Sequence, residues 1–376
     1  MFSNDNFLYQ YAPILTIRNA EMTALQELPE KAKDILIPII SLRGWVGSKK
    51  LDNSIRRVSQ AIGDRWWIAD IDSDFLLDGQ EKRLPNGDYP REVFKEIEDL
   101  LIPDNGYHNW VQYISNNPNI IPTVQLGVIN QIRSQIEQLN ELGRGIVFRF
   151  DDEAIKAEIH ITALAEAQRL NLRDVFVIYD YGQVTREILS YSSGISALVK
   201  TTQAILDNPL ISISCTSFPF SFSGYSSGEY SIYERILFNK VHVECSDSRL
   251  LYSDWGSARA ERIDGGGGIP SPRIDYPLKN EWRCLRKEFE DFANPREGEK
   301  ERLYKEVAIE LMSQQYWNPQ LRVWGTQMIE LTSLGDAYGI DTALKATAVR
   351  INMHLHQQLY YNSPDELTDT DENWED

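Results

Sequence analysis

Arginines and aspartates stand at the ends of several apolar runs in this chain of 376 residues. Arg18 follows YAPILTI (Tyr11–Ile17) and Arg43 follows ILIPIISL (Ile35–Leu42). Asp70 lies within RWWIADI (Arg65–Ile71) and Asp72 follows it, and Arg149 sits in GIVFRF (Gly145–Phe150) with Asp151 next. Asp180 lies within VFVIYDY (Val175–Tyr181), and Asp254 lies within RLLYSDW (Arg249–Trp255) just before Trp255. Three or four carboxylates gathered at one place suit a general acid/base pair or a Mg²⁺ ion. Guanidinium groups at the same place suit a clamp for phosphate or carboxylate, because their planar forks match those anions. The expected catalytic groups are therefore Asp70, Asp180 and Asp254. The expected ligand-holding groups are Arg18, Arg43, Asp72, Arg149 and Trp255, with Glu21, in the first turn of the helix after the first run, as a weaker member.

Each residue also has a plainer reading. Aspartate at a strand-to-helix turn is a preferred N-cap. An arginine inside an apolar strand needs an anionic partner, and an internal Arg–Asp network supplies one as readily as a ligand does. Arg149 and Asp180 fall on neighbouring strands, whose backbones lie ~4.8 Å apart, so the two side chains could pair with each other or flank one ligand.

Positioning these residues needs a frame. Two further apolar runs, IIPTVQL (Ile120–Leu126) and ISISCTS (Ile211–Ser217), complete eight strand–helix beats. Such a series predicts an α/β fold, a (β/α)8 TIM-like barrel whose strand ends converge on one mouth. A doubly wound sheet would carry a glycine-rich phosphate turn after its first strand; here that turn reads TIRNAEM, without glycine. Beyond the eighth run, RIDY and EWRCLR read as a β-hairpin excursion, followed by a C-terminal helical cap. The expected division is a barrel over 1–260, a hairpin and helical cap over 261–362, and a disordered acidic tail over 363–376. That tail has seven carboxylates and no Lys or Arg from Pro364 onward. The Ser-, Gly- and aromatic-rich segment Pro219–Arg235 could cover the mouth, and Gly265–Gly268 reads as a flexible loop rather than a phosphate cradle.

Composition narrows the function classes. A formal charge of −18 repels phosphate backbones, so broad nucleic-acid binding is disfavoured, while a local basic pocket within the acidic shell stays open. Three cysteines without CxxC spacing suggest neither a disulfide framework nor a zinc knuckle. No signal segment or bilayer-length apolar run is visible, which predicts a cytoplasmic protein without a membrane partner. His354 and His356 stand two apart on a helix and do not share a face, so they make a poor metal pair. No HExxH, GxSxG, P-loop or kinase pattern occurs, no metal-ligand set can be named, and the cofactor is unknown.

Several segments carry a resemblance nearly end to end. YAPILTIRNAEMTALQEL, DYG at Asp180–Gly182, SDWGSA at Ser253–Ala258, the Pro272–Ile274 stretch and WGTQMIE with AVRINMHLH resemble the beta family proteins. That family is known from T4-type phages and bacterial mobile islands. The resemblance implies a phage or antiviral-defence setting and one unit rather than two domains. It implies no reaction.

Two functions follow as expectations. In the first, the strand-end Arg/Asp pocket binds a small anion, phosphates and nucleotides among the candidates, with hydrolysis as one possible outcome. In the second, the chain is a non-catalytic interaction factor on a barrel scaffold, and its own Arg–Asp pairs fill the mouth.

Overall fold

The computed structural model describes residues 1–2, 7–222, 224–260 and 269–370. Gly265–Gly268 and the acidic tail beyond residue 370 lie outside the described residues. Backbone contacts divide the chain into two compact units. The first comprises Met1–Arg18, Ile35–Thr216 and Tyr233–Trp255; the second comprises Asn19–Asp34, Ser217–Ile232 and the chain from Gly256 onward.

The first unit is built on parallel strands. One sheet runs β1 (Ile14–Thr16), β2 (Ile39–Leu42), β3 (Trp67–Ile71), β4 (Ile120–Pro122). Apart from β8 (Ser227–Ser231), which belongs to the second unit, the other runs β5 (Ile146–Asp151), β6 (Val175–Gln183), β7 (Leu210–Thr216), β9 (Arg249–Leu250). Their residues are apolar almost without interruption because both faces are buried, as parallel sheets require. Ile14, Ile39, Ile68, Ile121, Val147, Phe176 and Ile178 form one core cluster. A second cluster places Phe148, Phe150, Val177 and Ile213 against the helices Ile132–Glu141, Ile159–Arg169 and Ser192–Ile205.

The expected eight-stranded (β/α)8 barrel is corrected by this topology. The parallel strands fall into two four-stranded sheets, and a third sheet is antiparallel. Among the described residues, β4 and β5, and the segments carrying β9 and β1, are joined by the isolated bridges Thr123–Val147 and Tyr11–Tyr252 and by the Ile14 N–H bond to the Asp254 carbonyl, where a closed barrel needs continuous ladders. The reason is local. β1 and β4 have three residues each and β9 has two, and β4 ends on Pro122, which has no N–H to extend a ladder.

The second unit holds the antiparallel sheet of β10 (Arg273–Pro277), β11 (Glu281–Arg286) and β8 (Ser227–Ser231), with β11 in the middle. Ile274, Tyr276 and Leu285 pack with Val307, Leu311, Ile329, Val349 and Met353 from the helices Glu299–Met312, Trp324–Leu334 and Ala343–Leu359. The helix Asn19–Gln26, expected to pack as the first barrel helix, belongs here. Its Ala24 carbonyl accepts a hydrogen bond from Asn352 Nδ2 at 3.0 Å.

Candidate functional site

Three of the expected site residues meet around one guanidinium. Arg149 and Asp180 sit on β5 and β6, which pair in register so that Arg149 lies opposite Ile178 and Asp151 opposite Asp180. Arg149 Nε and Nη2 donate to Asp180 Oδ2 at 3.0 and 2.6 Å, and Nη1 donates to Asp70 Oδ2 at 2.7 Å. Asp70 comes from β3 in the other sheet, so one arginine ties the two sheets at their C-terminal ends. The remaining carboxylate oxygens are also engaged. Asp70 Oδ1 accepts from Thr123 Oγ1 at 2.9 Å and from the Ile71 N–H at 2.8 Å. Asp180 Oδ1 accepts from Trp255 Nε1 and from the Gly182 N–H, both at 3.0 Å. The Arg149 guanidinium stands 5.3 Å from the Trp255 ring, within cation–π reach.

Burial sets the electrostatics. Asp180 is 2% exposed, whereas Arg149 and Asp70 are 15% and 17% exposed. Burial alone would weaken the Arg149 charge, but the adjacent Asp180 and Asp70 carboxylates outweigh it and hold the pKa above its usual value. Two carboxylates against one guanidinium leave this trio with a net charge of −1, which repels an incoming anion.

The other expected residues are placed elsewhere. Asp72 caps the helix Ser73–Glu81, with Oδ1 accepting from the Phe75 N–H at 2.9 Å, and pairs through Oδ2 with Arg43 Nη1 at 3.1 Å. Arg43 also lies over the Phe75 ring at 4.9 Å. Asp254 is fully buried. Its carboxylate accepts from the Tyr11 hydroxyl and, at 2.7 Å, from the Tyr252 hydroxyl. Burial first, and then the Asp254 charge, push the pKa of both tyrosines well up, so they stay protonated as donors. Arg235, 3% exposed, stacks over Tyr252 at 3.2 Å. Arg18 is exposed at the end of β1. Glu21 is buried in the helix Asn19–Gln26, within the second unit.

Sequence reasoning missed Thr123, Tyr11, Tyr252 and Arg235. Thr123 directly follows Pro122, and a hydroxyl just past a strand end was the available signal. Both tyrosines read as members of apolar runs, and nothing local marks their hydroxyls as donors to Asp254. Among the described residues, no three His, Cys, Asp or Glu side chains come together in an arrangement able to hold a metal ion. No helix among them is long and apolar enough to cross a membrane.

The same residues can be set against known proteins. The model of the Beta protein family matches residues 11–360. This chain belongs to the Beta protein family. Protein beta of Enterobacteria phage P4 is 27% identical over 360 residues, which covers 93% of each chain. The phage relative is therefore from P4 rather than from a T4-type phage. The match to the Beta family spans the residues of the Arg149 network, Asp254 and the antiparallel sheet of the second unit.

Proposed function

We propose that this Beta family protein is a non-catalytic interaction factor in a phage or defence-island setting, and that its strand-end Arg/Asp set is a structural brace. One observation carries the reading: every carboxylate oxygen of Asp70 and Asp180 is engaged by a donor of the chain itself. For Arg149 to clamp an anion it would have to leave one of two carboxylates, one of them in the interior, and an uncompensated buried charge costs several kcal/mol. The acidic chain, at −18, favours a partner with a basic surface.

Asp70, Asp180 and Asp254 are then fixed acceptors rather than acid/base groups. Arg43, Arg149 and Trp255 hold strand and helix ends in place. The competing reading makes the same residues a pocket for a phosphate-bearing ligand. Thermal unfolding of Asp180→Asn separates the two. The brace predicts a clear loss of stability in the ligand-free protein. A variant as stable as wild type, which has lost a stabilisation by phosphates or nucleotides that wild type shows, would establish the pocket instead. Partner binding in stoichiometric amount should also survive Asp70→Asn, a change at a partly exposed position.

A further inference from the structure

The second unit contains the opposite arrangement of the same two residue types. A cleft of about 460 Å³ is lined by Arg259, Arg273 and Arg286, with Asp275 the one carboxylate in its wall among the described residues. Its apolar lining includes Phe220, Phe292 and Tyr304. Arg350 stands behind, 6% exposed, with Nη1 donating to Asp275 Oδ2 at 3.0 Å. Arg273 Nε lies 2.9 Å from the other oxygen, Asp275 Oδ1. Asp275 is thus shared by two guanidiniums. Arg286 is held by the Phe222 carbonyl at 2.8 Å, by Ser271 Oγ at 3.1 Å and by Glu288, a largely exposed residue, at 3.2 Å. Arg259 donates through Nε to the Pro219 carbonyl at 3.0 Å.

Among the described residues, four arginines therefore face two carboxylates, Asp275 and Glu288, the second of which lies at the solvent edge. The excess is chemically visible. Burial, and then the nearby Arg350 and Arg273, push the pKa of Arg259 down to about 10. Arg350 Nε is buried without an acceptor among the described residues. Among the described residues this is a local surplus of cationic donors, with Arg350 buried and Arg259, Arg273 and Arg286 only partly exposed, which an anion would compensate. Guanidinium forks match phosphate oxygens bidentately. Phe220 and Phe292 are 44% and 58% exposed. Exposed aromatic rings in the lining offer surface on which a nucleobase can stack. The cleft volume falls within the range of small-molecule sites.

We propose that this cleft binds a nucleotide, with its phosphates on Arg259, Arg273 and Arg286 and its base against Phe220 and Phe292. The site does not depend on how the Arg149 network is read. It places the local basic pocket of this acidic protein in the second unit.

The test is calorimetric titration of the full chain with ATP, GTP, inorganic pyrophosphate and, as an ionic-strength control, sodium chloride. ATP or GTP should bind saturably at a single site, at least tenfold more tightly than pyrophosphate. Arg286→Ala and Arg259→Ala should each weaken nucleotide binding at least tenfold. Phe292→Ala, at an exposed position that folding does not need, should bring nucleotide affinity down towards that of pyrophosphate. Arg18→Ala, a surface arginine in the first unit, should leave all affinities unchanged. Circular dichroism confirms that each variant is folded, and Arg286→Lys, which keeps the charge without the fork, replaces the alanine variant if that one is not. Absence of saturable binding by both nucleotides at millimolar concentration would overturn the proposal. So would nucleotide affinity unchanged in the folded arginine variants. Equal affinity for pyrophosphate and nucleotides, unaffected by Phe292→Ala, would overturn the nucleotide assignment.

Discussion

Arg149 in the first unit and Asp275 in the second are mirror images in charge. Around Arg149, one guanidinium is shared by two carboxylates; around Asp275, one carboxylate is shared by two guanidiniums, with two more arginines in or beside the cleft wall. Both rest on a buried aspartate within or at the end of a strand, Asp180 on β6 and Asp275 on β10. The difference lies in the sign of the remainder. The first cluster is left with a net negative charge and its oxygens are saturated. Among the described residues, the second is left positive and lines a cleft. A residue inventory cannot distinguish a brace from a binding site, whereas the ratio of charges and the saturation of their hydrogen bonds can.

The largest effect expected from breaking this comparison is at Asp275. Asp275→Asn leaves Arg350, which has little access to water, and Arg273 without their common counter-charge. The expected loss is about 3–5 kcal/mol, the usual cost of an unpaired buried charge. Denaturant unfolding of the second unit, followed by hydrogen exchange of the β10 and β11 amides, checks it. Added pyrophosphate should restore part of the loss, because an exogenous anion can replace the missing carboxylate. No loss of stability would mean that the arginines reach water or other acceptors when the aspartate is removed.

Next in size is Asp180→Asn, at about 3 kcal/mol. The amide can keep an acceptor towards Trp255 and Gly182, but it then turns an NH₂ towards Arg149, or the reverse. Here pyrophosphate should restore nothing. That contrast, rescue in one unit and none in the other, is the sharpest form of the comparison.

The sequence made one of these clusters legible and hid the other, for physical reasons. The strands β2, β3, β5, β6 and β7 each coincide over most of their length with an apolar run visible by eye, since strands buried on both faces read as continuous apolar segments. Asp70, Arg149 and Asp180 could be expected to converge because each ends such a run. Their mutual neutralisation could not, because it depends on which oxygen each N–H reaches. The runs also say nothing about ladder partners, so eight beats suggested one barrel where two four-stranded sheets formed. β8, SGEYS, has neither apolar alternation nor a buried face, and read as loop. The cleft residues Arg259, Arg273 and Arg286, and Arg350 behind them, lie on a loop, two paired strands and a helix, and no local pattern links them.

A third prediction concerns His356, buried on the helix Ala343–Leu359, where Nε2 donates to the Leu367 carbonyl at 2.9 Å. Burial pushes its pKa down to about 4, with the Lys31 charge acting in the same direction and the Leu367 contact against it. The unfolded chain, with a histidine pKa of about 6.5, binds more protons across the interval from 6.5 to 4. Stability of the second unit therefore rises with pH in this window. It is fully present above about 6.5 and is lost as the pH falls towards 4, by about 2 kcal/mol between pH 7 and pH 5. His356→Gln, which keeps a donor for Leu367, should flatten that slope. A slope unchanged in the variant would assign the pH dependence to other groups.

The smallest effect separates two jobs held by one side chain. Asp72 caps a helix through Oδ1 and pairs with Arg43 through Oδ2. Asp72→Asn keeps an oxygen for the Phe75 N–H but gives up the charge. Asp72→Ala gives up both, and loss of a cap costs about 1 kcal/mol. Arg43 is 19% exposed and also rests on the Phe75 ring, so water and the aromatic face take over part of what the ion pair supplied. The asparagine variant should therefore cost only a few tenths of a kcal/mol, well below the alanine variant and far below Asp180→Asn. The ordering, read from midpoints of denaturant unfolding of the three variants, ranks strand-end aspartates by burial. Asp72 is 9% exposed and Asp180 is 2% exposed, and only the latter faces a guanidinium held by two carboxylates. If Asp72→Asn cost as much as Asp180→Asn, ion pairing rather than burial would govern this end of the sheets, and the brace would extend to Arg43.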